Sequence, residues 1–189
     1  SPTWSTCCSQ FMKSKVYIGE ASVGRGVLAR VPIEPRETIL FVTGPVVSFS
    51  ESMRLPDEGV NTIQIGQDAY VDPLFPSRFL NHSCEPNAGL IDETCLIALR
   101  QIKPGEEIRY DYSTALLERF WTLDCCCGSP NCRSVVGDFD YLPRKTQQDY
   151  LRIGVVQRFI VEAITADESK EQRAPLPSSL VLNLAPASR

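Results

Sequence analysis

Four of the chain's eight cysteines, Cys125, Cys126, Cys127 and Cys132, fall within eight residues. That crowding is poor geometry for a disulfide framework and good geometry for thiolates around a metal ion. Zinc takes four soft ligands in a tetrahedron with Zn–S near about 2.3 Å, and this cluster offers three suitably staggered thiolates, so a fourth ligand has to come from elsewhere. The second stretch with chemical character is Arg78-Phe79-Leu80-Asn81-His82-Ser83-Cys84-Glu85-Pro86-Asn87, which contains the only histidine of the chain. A single histidine is by itself more often structural than catalytic. The third is Gly105-Glu106-Glu107-Ile108-Arg109-Tyr110-Asp111-Tyr112, where two tyrosines flank an aspartate. The last is Gly24-Arg25-Gly26, whose glycines carry no Cβ and so let a ligand approach the backbone.

The elements that must position these groups are short strands. Val16, Tyr17 and Ile18 precede Gly19, and Val27 and Leu28 follow the Gly24–Gly26 turn, which predicts a hairpin over 15–28. Thr38 to Phe49 is β-branched and apolar but cut by Gly44-Pro45, so two short strands with a turn between them are expected. Glu51 to Gly59 reads as a short helix or a loop. Ile63, Ile65, Ala69 and Val71 mark further strand pieces. The stretch from Leu90 to Ile102 alternates loosely before Lys103-Pro104-Gly105, a type II turn leading into a strand over Ile108 to Tyr112. Helical character comes late: Ala115 to Leu123 carries helix formers, and Gln148 to Ala163 sets Leu151, Val155, Phe159 and Ala163 four apart, the stripe of a helix docked on a β domain. Residues 167–189 are polar and then Pro/Ser/Ala-rich, the composition of a solvated tail. The fold class is therefore mostly β with C-terminal helices.

With 189 residues, of which 43% are hydrophobic, the chain can bury the core of one domain. A net charge of -4 without any Lys/Arg block argues against direct binding to nucleic acid and suits a basic partner. No run approaches the roughly 18 apolar residues that span a bilayer, and the first residues lack the basic-then-apolar order of a signal peptide, so an intracellular setting with no membrane partner is expected. Cys7, Cys8 and Cys95 lack partners at ligand spacing and read as buried or incidental free thiols.

Taken together, the motifs resemble the SET-domain family of protein-lysine methyltransferases. Residues 78–87 look like that family's RFxNHSCxPN segment and follow Tyr70-Val71-Asp72 at a family-like distance. Residues 105–112 look like its GEELxxDY segment, Cys125-x-Cys127-Gly128-x-x-x-Cys132-Arg133 like the post-SET pattern CxCGxxxCR, and Gly24-Arg25-Gly26-Val27 fits its early GxG. The likeness runs from Lys15 to Tyr141. It implies an N-terminal extension over 1–14, a SET domain over 15–114, a post-SET zinc region over 115–141, a C-terminal helix over 142–166 and the tail over 167–189. The implied fold is a β-clip of small curved sheets, with a pseudoknot-like crossing of the Asn81-His82-Ser83-Cys84 segment and the Tyr112 strand, followed by a zinc loop.

The resemblance implies S-adenosylmethionine-dependent methylation of a lysine in a protein substrate, a histone tail among them. The cofactor would lie against Gly24, Arg25, Gly26, Arg78, Phe79, Asn81 and His82, the last two through backbone atoms. One structural zinc ion would be held by Cys84, Cys125, Cys127 and Cys132, with Cys126 pointing away. Tyr112 would orient the amine at the end of a narrow channel. Tyr110 stands where the family alternates between Phe and Tyr, and a tyrosine there implies addition of one or two methyl groups. Methyl transfer from a sulfonium to a neutral amine needs an in-line approach, so positioning supplies much of the acceleration. The pattern is broken at one place: where many members carry Tyr-x-Gly-Glu, this chain reads Phe41-Val42-Thr43-Gly44-Pro45, so a channel tyrosine is replaced by Val42. The segment between Glu51 and Tyr70 is also short, and no cysteine-rich pre-SET region is seen. Two alternatives therefore stand beside the methyltransferase, a SET-fold enzyme acting on a small molecule in a closed pocket, and a noncatalytic binding module.

Overall fold

Punctuation by Gly and Pro yields many short strands. The computed structural model describes residues 14–56 and 60–173, so Cys7, Cys8 and the chain beyond 173 lie outside the described residues. In chain order the elements are β1 (Val16–Glu20), β2 (Arg25–Ala29), β3 (Thr38–Phe41), β4 (Val46–Val47), α1 (Phe49–Ser52), β5 (Ile63–Gly66), β6 (Ala69–Val71), β7 (Asn81–His82), β8 (Ala88–Ile91), β9 (Cys95–Ala98), β10 (Arg109–Tyr110), β11 (Leu123–Asp124), β12 (Val135–Val136), α2 (Arg144–Ile153) and α3 (Arg158–Arg173). They form antiparallel sheets in the orders β1-β2, β4-β6-β5, β3-β9-β8 and β11-β12, and one parallel pair, β7-β10.

The expected hairpin, the split at Gly44-Pro45 and the strand pieces around Ile63 and Val71 are all present. A Cβ on Gly44 would sit 1.9 Å from the Asp72 carbonyl oxygen, so only glycine lets β3 and β4 pass beside the 72–74 segment. Two backbone bonds seal that passage, Asp72 N to Pro45 O at 2.9 Å and Leu74 N to Thr43 O at 2.8 Å. The turn before β10 has the expected form, with Gly105 at φ +80 and Glu106 N donating to Lys103 O at 3.0 Å. Side chains from several sheets meet in one core, in which Val27, Ala29, Ile33, Leu96, Ile102 and Ile108 are fully enclosed. Burying each large aliphatic contributes about 1.5–3 kcal/mol, enough to hold together sheets too small to stand alone.

Three expectations are corrected. Ala115 to Leu123 is not a helix. After a 3-10 turn over Tyr112–Ala115 the chain runs irregularly. Its amides bond to buried side-chain acceptors, Leu117 N to Gln64 Oε1 at 2.9 Å, and Glu118 N and Arg119 N to Asp138 at 3.3 and 2.5 Å. Tertiary acceptors thus override a modest helix propensity. The strand expected up to Tyr112 stops at Tyr110, because the Asp111 carboxylate accepts from Ser113 N at 3.1 Å and starts that turn.

The single helix expected over Gln148 to Ala163 is two helices, broken at Gly154 with φ +76, and the second continues past residue 166 to Arg173. The apolar spacing persists across the break because α2 and α3 pack on the same cluster of Phe139, Leu142, Tyr150, Val155, Phe159 and Ile160, against Ile97.

Candidate functional site

The parallel pair β7-β10 is the hinge point of the site. Asn81 stands opposite Arg109 and His82 opposite Tyr110, and Ser83 N to Tyr110 O at 3.0 Å and Asn87 N to Arg109 O at 3.2 Å extend the ladder. Asn87 locks it, accepting from Arg109 N at 2.9 Å and donating to Glu107 O at 2.8 Å. Two segments far apart in sequence therefore cross, as the resemblance implied.

Asn81 ties this crossing to the glycine turn. Its Nδ2 donates to Val23 O at 3.2 Å, Arg25 O at 3.1 Å and Glu107 Oε1 at 2.7 Å. A Cβ on Gly26 would lie 2.6 Å from that same Glu107 oxygen and 2.7 Å from Ala21 Cβ. Gly24 sits at φ +58 with open space where a Cβ would be. The Arg25 guanidinium lies 4.6 Å from the centre of the Phe79 ring. Gly24, Arg25, Gly26, Phe79 and Asn81 are thus brought together. Arg78 is directed elsewhere, to Asp72 at 2.6 Å.

The His82 ring faces the cysteines. Its Nδ1 accepts from Tyr112 N at 3.2 Å and its Nε2 lies 3.2 Å from Cys84 Sγ. Burial pushes the imidazole down to about 4, so it is neutral near pH 7. The ligand atoms of His82, Cys84, Cys125 and Cys127 all lie within 4.8 Å of one another. Cys132 adjoins them with its Sγ 3.4 Å from the Cys125 carbonyl oxygen. Cys126 is exposed and takes no part in packing, and Cys95 is buried away from the cluster, 3.8 Å from the Thr38 hydroxyl. Burial works against ionisation of Cys127, yet bonds from the Cys84 backbone and from Ser129 bring its thiol below the ordinary value, which favours the ligating thiolate.

Asp111 joins the parts. Its buried carboxylate takes both arms of Arg133 at 2.8 Å each and the Tyr150 hydroxyl at 2.9 Å. The crossing, the cysteine loop and α2 therefore share one anion. Arg133 and Asp111 lie within recognised motifs, but nothing in the spacing of Tyr150 pointed to this role.

On the remaining side a cavity of about 330 Å³ is lined by Tyr110, Tyr112, Leu80, Glu118, Phe120 and Trp121 among others. The Tyr112 hydroxyl donates to Leu80 O at 2.7 Å, and the Tyr110 ring lies 4.9 Å away, tilted by 47°. Burial raises both phenols, so they are neutral hydroxyls. Val42 is buried in the core and does not line this cavity.

The profile of the SET domain matches residues 24–113. Residues 24–113 are a SET domain. Histone-lysine N-methyltransferase ash1 of Drosophila melanogaster is 32% identical over 133 residues, covering 62% of this chain and 6% of that protein. A probable histone-lysine N-methyltransferase of Caenorhabditis briggsae, set-23, is 31% identical over 155 residues, covering 70% of this chain and 62% of that protein. Histone-lysine N-methyltransferase, H3 lysine-36 specific, of Candida albicans is 30% identical over 183 residues, covering 86% of this chain and 20% of that protein. The chain thus spans less than two thirds of the length of these relatives. The parallel crossing and the small antiparallel sheets are the architecture of this SET domain.

Proposed function

We propose that this chain is an S-adenosylmethionine-dependent protein-lysine N-methyltransferase that adds one or two methyl groups. The observation that carries the reading is that one parallel strand pair holds both Asn81, which fastens the glycine turn, and Tyr110, which lines the cavity beside Tyr112. The open space at Gly24, with Arg25 and Phe79 beside it, fits a cofactor. Gly24, Arg25, Gly26, Phe79 and Asn81 would hold it, with backbone contacts from His82 and a contribution from Arg78. When bound, S-adenosylmethionine supplies a methyl group on a sulfonium.

Tyr112 orients the amine. Its proton is committed to Leu80 O, which leaves the phenol oxygen free to accept an N–H from a lysine. As a neutral phenol it positions rather than deprotonates. The Tyr110 hydroxyl crowds the same end of the cavity and limits how many methyl groups fit. Zinc would be held by Cys84, Cys125, Cys127 and Cys132, a closed thiolate set suited to a structural ion that fixes the loop next to Trp121. His82 also lies within reach of the cluster through Nε2, but with Nδ1 accepting from Tyr112 N the neutral ring carries its proton on Nε2 and offers an ion no lone pair there. A cobalt-substituted protein distinguishes the two sets, since four thiolates and three thiolates plus imidazole absorb differently.

The substrate is a protein with an exposed lysine, a histone tail in keeping with the names of the relatives. The rim of the cavity carries the exposed Val60 and Phe120, so it opens to the surface as a polypeptide requires, not as a closed small-molecule pocket does. Among the described residues no helix is long and apolar enough to cross a membrane. Calorimetric titration of zinc-loaded protein with S-adenosylmethionine, with Asn81→Ala as control, should show binding that the variant loses. Labelled methyl transfer to histones should fall roughly 100-fold or more in Tyr112→Phe. Folded, zinc-loaded protein that binds no cofactor would overturn the reading. Cofactor binding without transfer to any protein would instead favour a noncatalytic module.

A further inference from the structure

The cavity extends past Tyr110 and Tyr112 to a second polar centre. Glu118 lines it, half-buried, and its Oε2 accepts from the Tyr70 hydroxyl at 2.9 Å. Among the described residues no donor reaches the other carboxylate oxygen, Oε1. Aromatic rings stand around the pair: Phe49 lies 6.0 Å from Tyr70 and 5.5 Å from Phe120, the latter edge to face at 82°. All three rings line the cavity. Arg78, the one basic side chain among the described lining residues, is engaged by Asp72 at 2.6 Å. The net charge offered to an occupant is therefore that of Glu118.

A carboxylate taken out of water without a counter-ion is costly, and burial with the nearby Asp138 charge raises the Glu118 carboxyl above its ordinary range. An arriving cation removes that penalty, and ring faces attract the same cation electrostatically. The target lysine already has its own partner in Tyr112, at the part of the cavity by Leu80.

We propose that Glu118, with Tyr70, Phe49 and Phe120, forms a subsite for a second cationic side chain, arginine or lysine, of the protein substrate, beside the lysine that Tyr112 orients. The proposal rests on the methyltransferase reading for the identity of that neighbouring lysine. It makes substrate choice depend on a basic residue at one fixed distance along the peptide from the methylated one.

The test uses zinc-loaded protein and short labelled peptides with one central lysine, otherwise uncharged, through whose flanking positions a single arginine is walked. Binding is read by fluorescence anisotropy. Arginine at one flanking position should tighten binding about tenfold, the equivalent of one partly buried charge pair. Glu118→Gln should reduce that preference to the level of the uncharged peptide, and Glu118→Lys should transfer it to a peptide with glutamate at the same position. Equal binding at every position, or a preference that survives both substitutions, overturns the subsite. Methyl transfer measured on the same peptides reports separately: absent transfer with the arginine preference intact counts against the methyltransferase reading and leaves the cation subsite supported.

Discussion

The strand crossing around β7 and β10 and the cysteine loop from Trp121 to Val136 meet at Asp111, yet they are held by different forces. At the crossing every polar group that matters has a protein partner: Asn81 makes three bonds, Asn87 locks the ladder and His82 is engaged at both ring nitrogens. The loop has a two-residue strand pair with exposed Leu123 and Val135, and its buried side chains are the thiols of Cys125 and Cys127 and the single aliphatic Val136. Its other ties include the clamp of Arg133 on Asp111, the bond from Arg109 to Cys127 O at 2.9 Å and a bond from Asn131 to Glu85. A region that packs and hydrogen-bonds with itself forms without help, whereas a region built of convergent thiols takes its stability from an ion.

Zinc removal should separate the two most sharply. Apparent structural-zinc affinities correspond to about 10–16 kcal/mol, so chelation should erase hydrogen-exchange protection of residues 123–136 and abolish the proposed methyl transfer, while β8 and β9 stay protected. Equal loss in both regions would break the comparison. Asp111→Asn attacks the shared anion. The Arg133 side chain is only 17% exposed, and stripping its carboxylate should cost about 3–5 kcal/mol in urea unfolding. A cost below about 1 kcal/mol, the level of a surface pair, would show that the regions do not depend on one another through this residue.

Gly26→Ala perturbs the crossing alone. Its new Cβ meets the Glu107 carboxylate and Ala21, which should cost about 1–3 kcal/mol and weaken cofactor binding while zinc content stays unchanged. The smallest effect is expected at Glu118, which belongs to neither region. Burial raises its carboxyl above the ordinary 4.5, so the folded protein holds a proton that the unfolded chain releases, and stability falls as pH rises from there through the raised folded value. Glu118→Gln should flatten that decline and slightly raise the melting temperature at neutral pH; an unchanged pH profile would mean that the carboxylate is better solvated than its place in the cavity implies.

Much of the site was legible because its chemistry lies in contiguous runs. Residues 78–87 and 105–112 predicted which strands cross, the Lys103-Pro104-Gly105 turn formed as its dihedral preferences demand, and Cys84 does join Cys125 and Cys127. Local rules failed where a distant acceptor intervened. Residues 115–123 have the composition of a helix, but Gln64 and Asp138 capture their amides. Gly154 lies inside a helical stripe, and its left-handed conformation was hidden because both helices press on the same cluster.

The sequence by itself determined the residue types that chemistry requires: thiols at ligand spacing, glycines where a Cβ would collide, and tyrosines either side of Asp111. Only the tertiary structure decided which of these share a space. It turned the His82 ring toward Cys84, placed Asp111 between Arg133 and Tyr150, and set Glu118 among aromatic rings from three separate segments. The physical reason is that bond geometry and glycine sterics are properties of neighbours in the chain, while desolvation and charge pairing depend on groups that folding alone brings within a few ångströms.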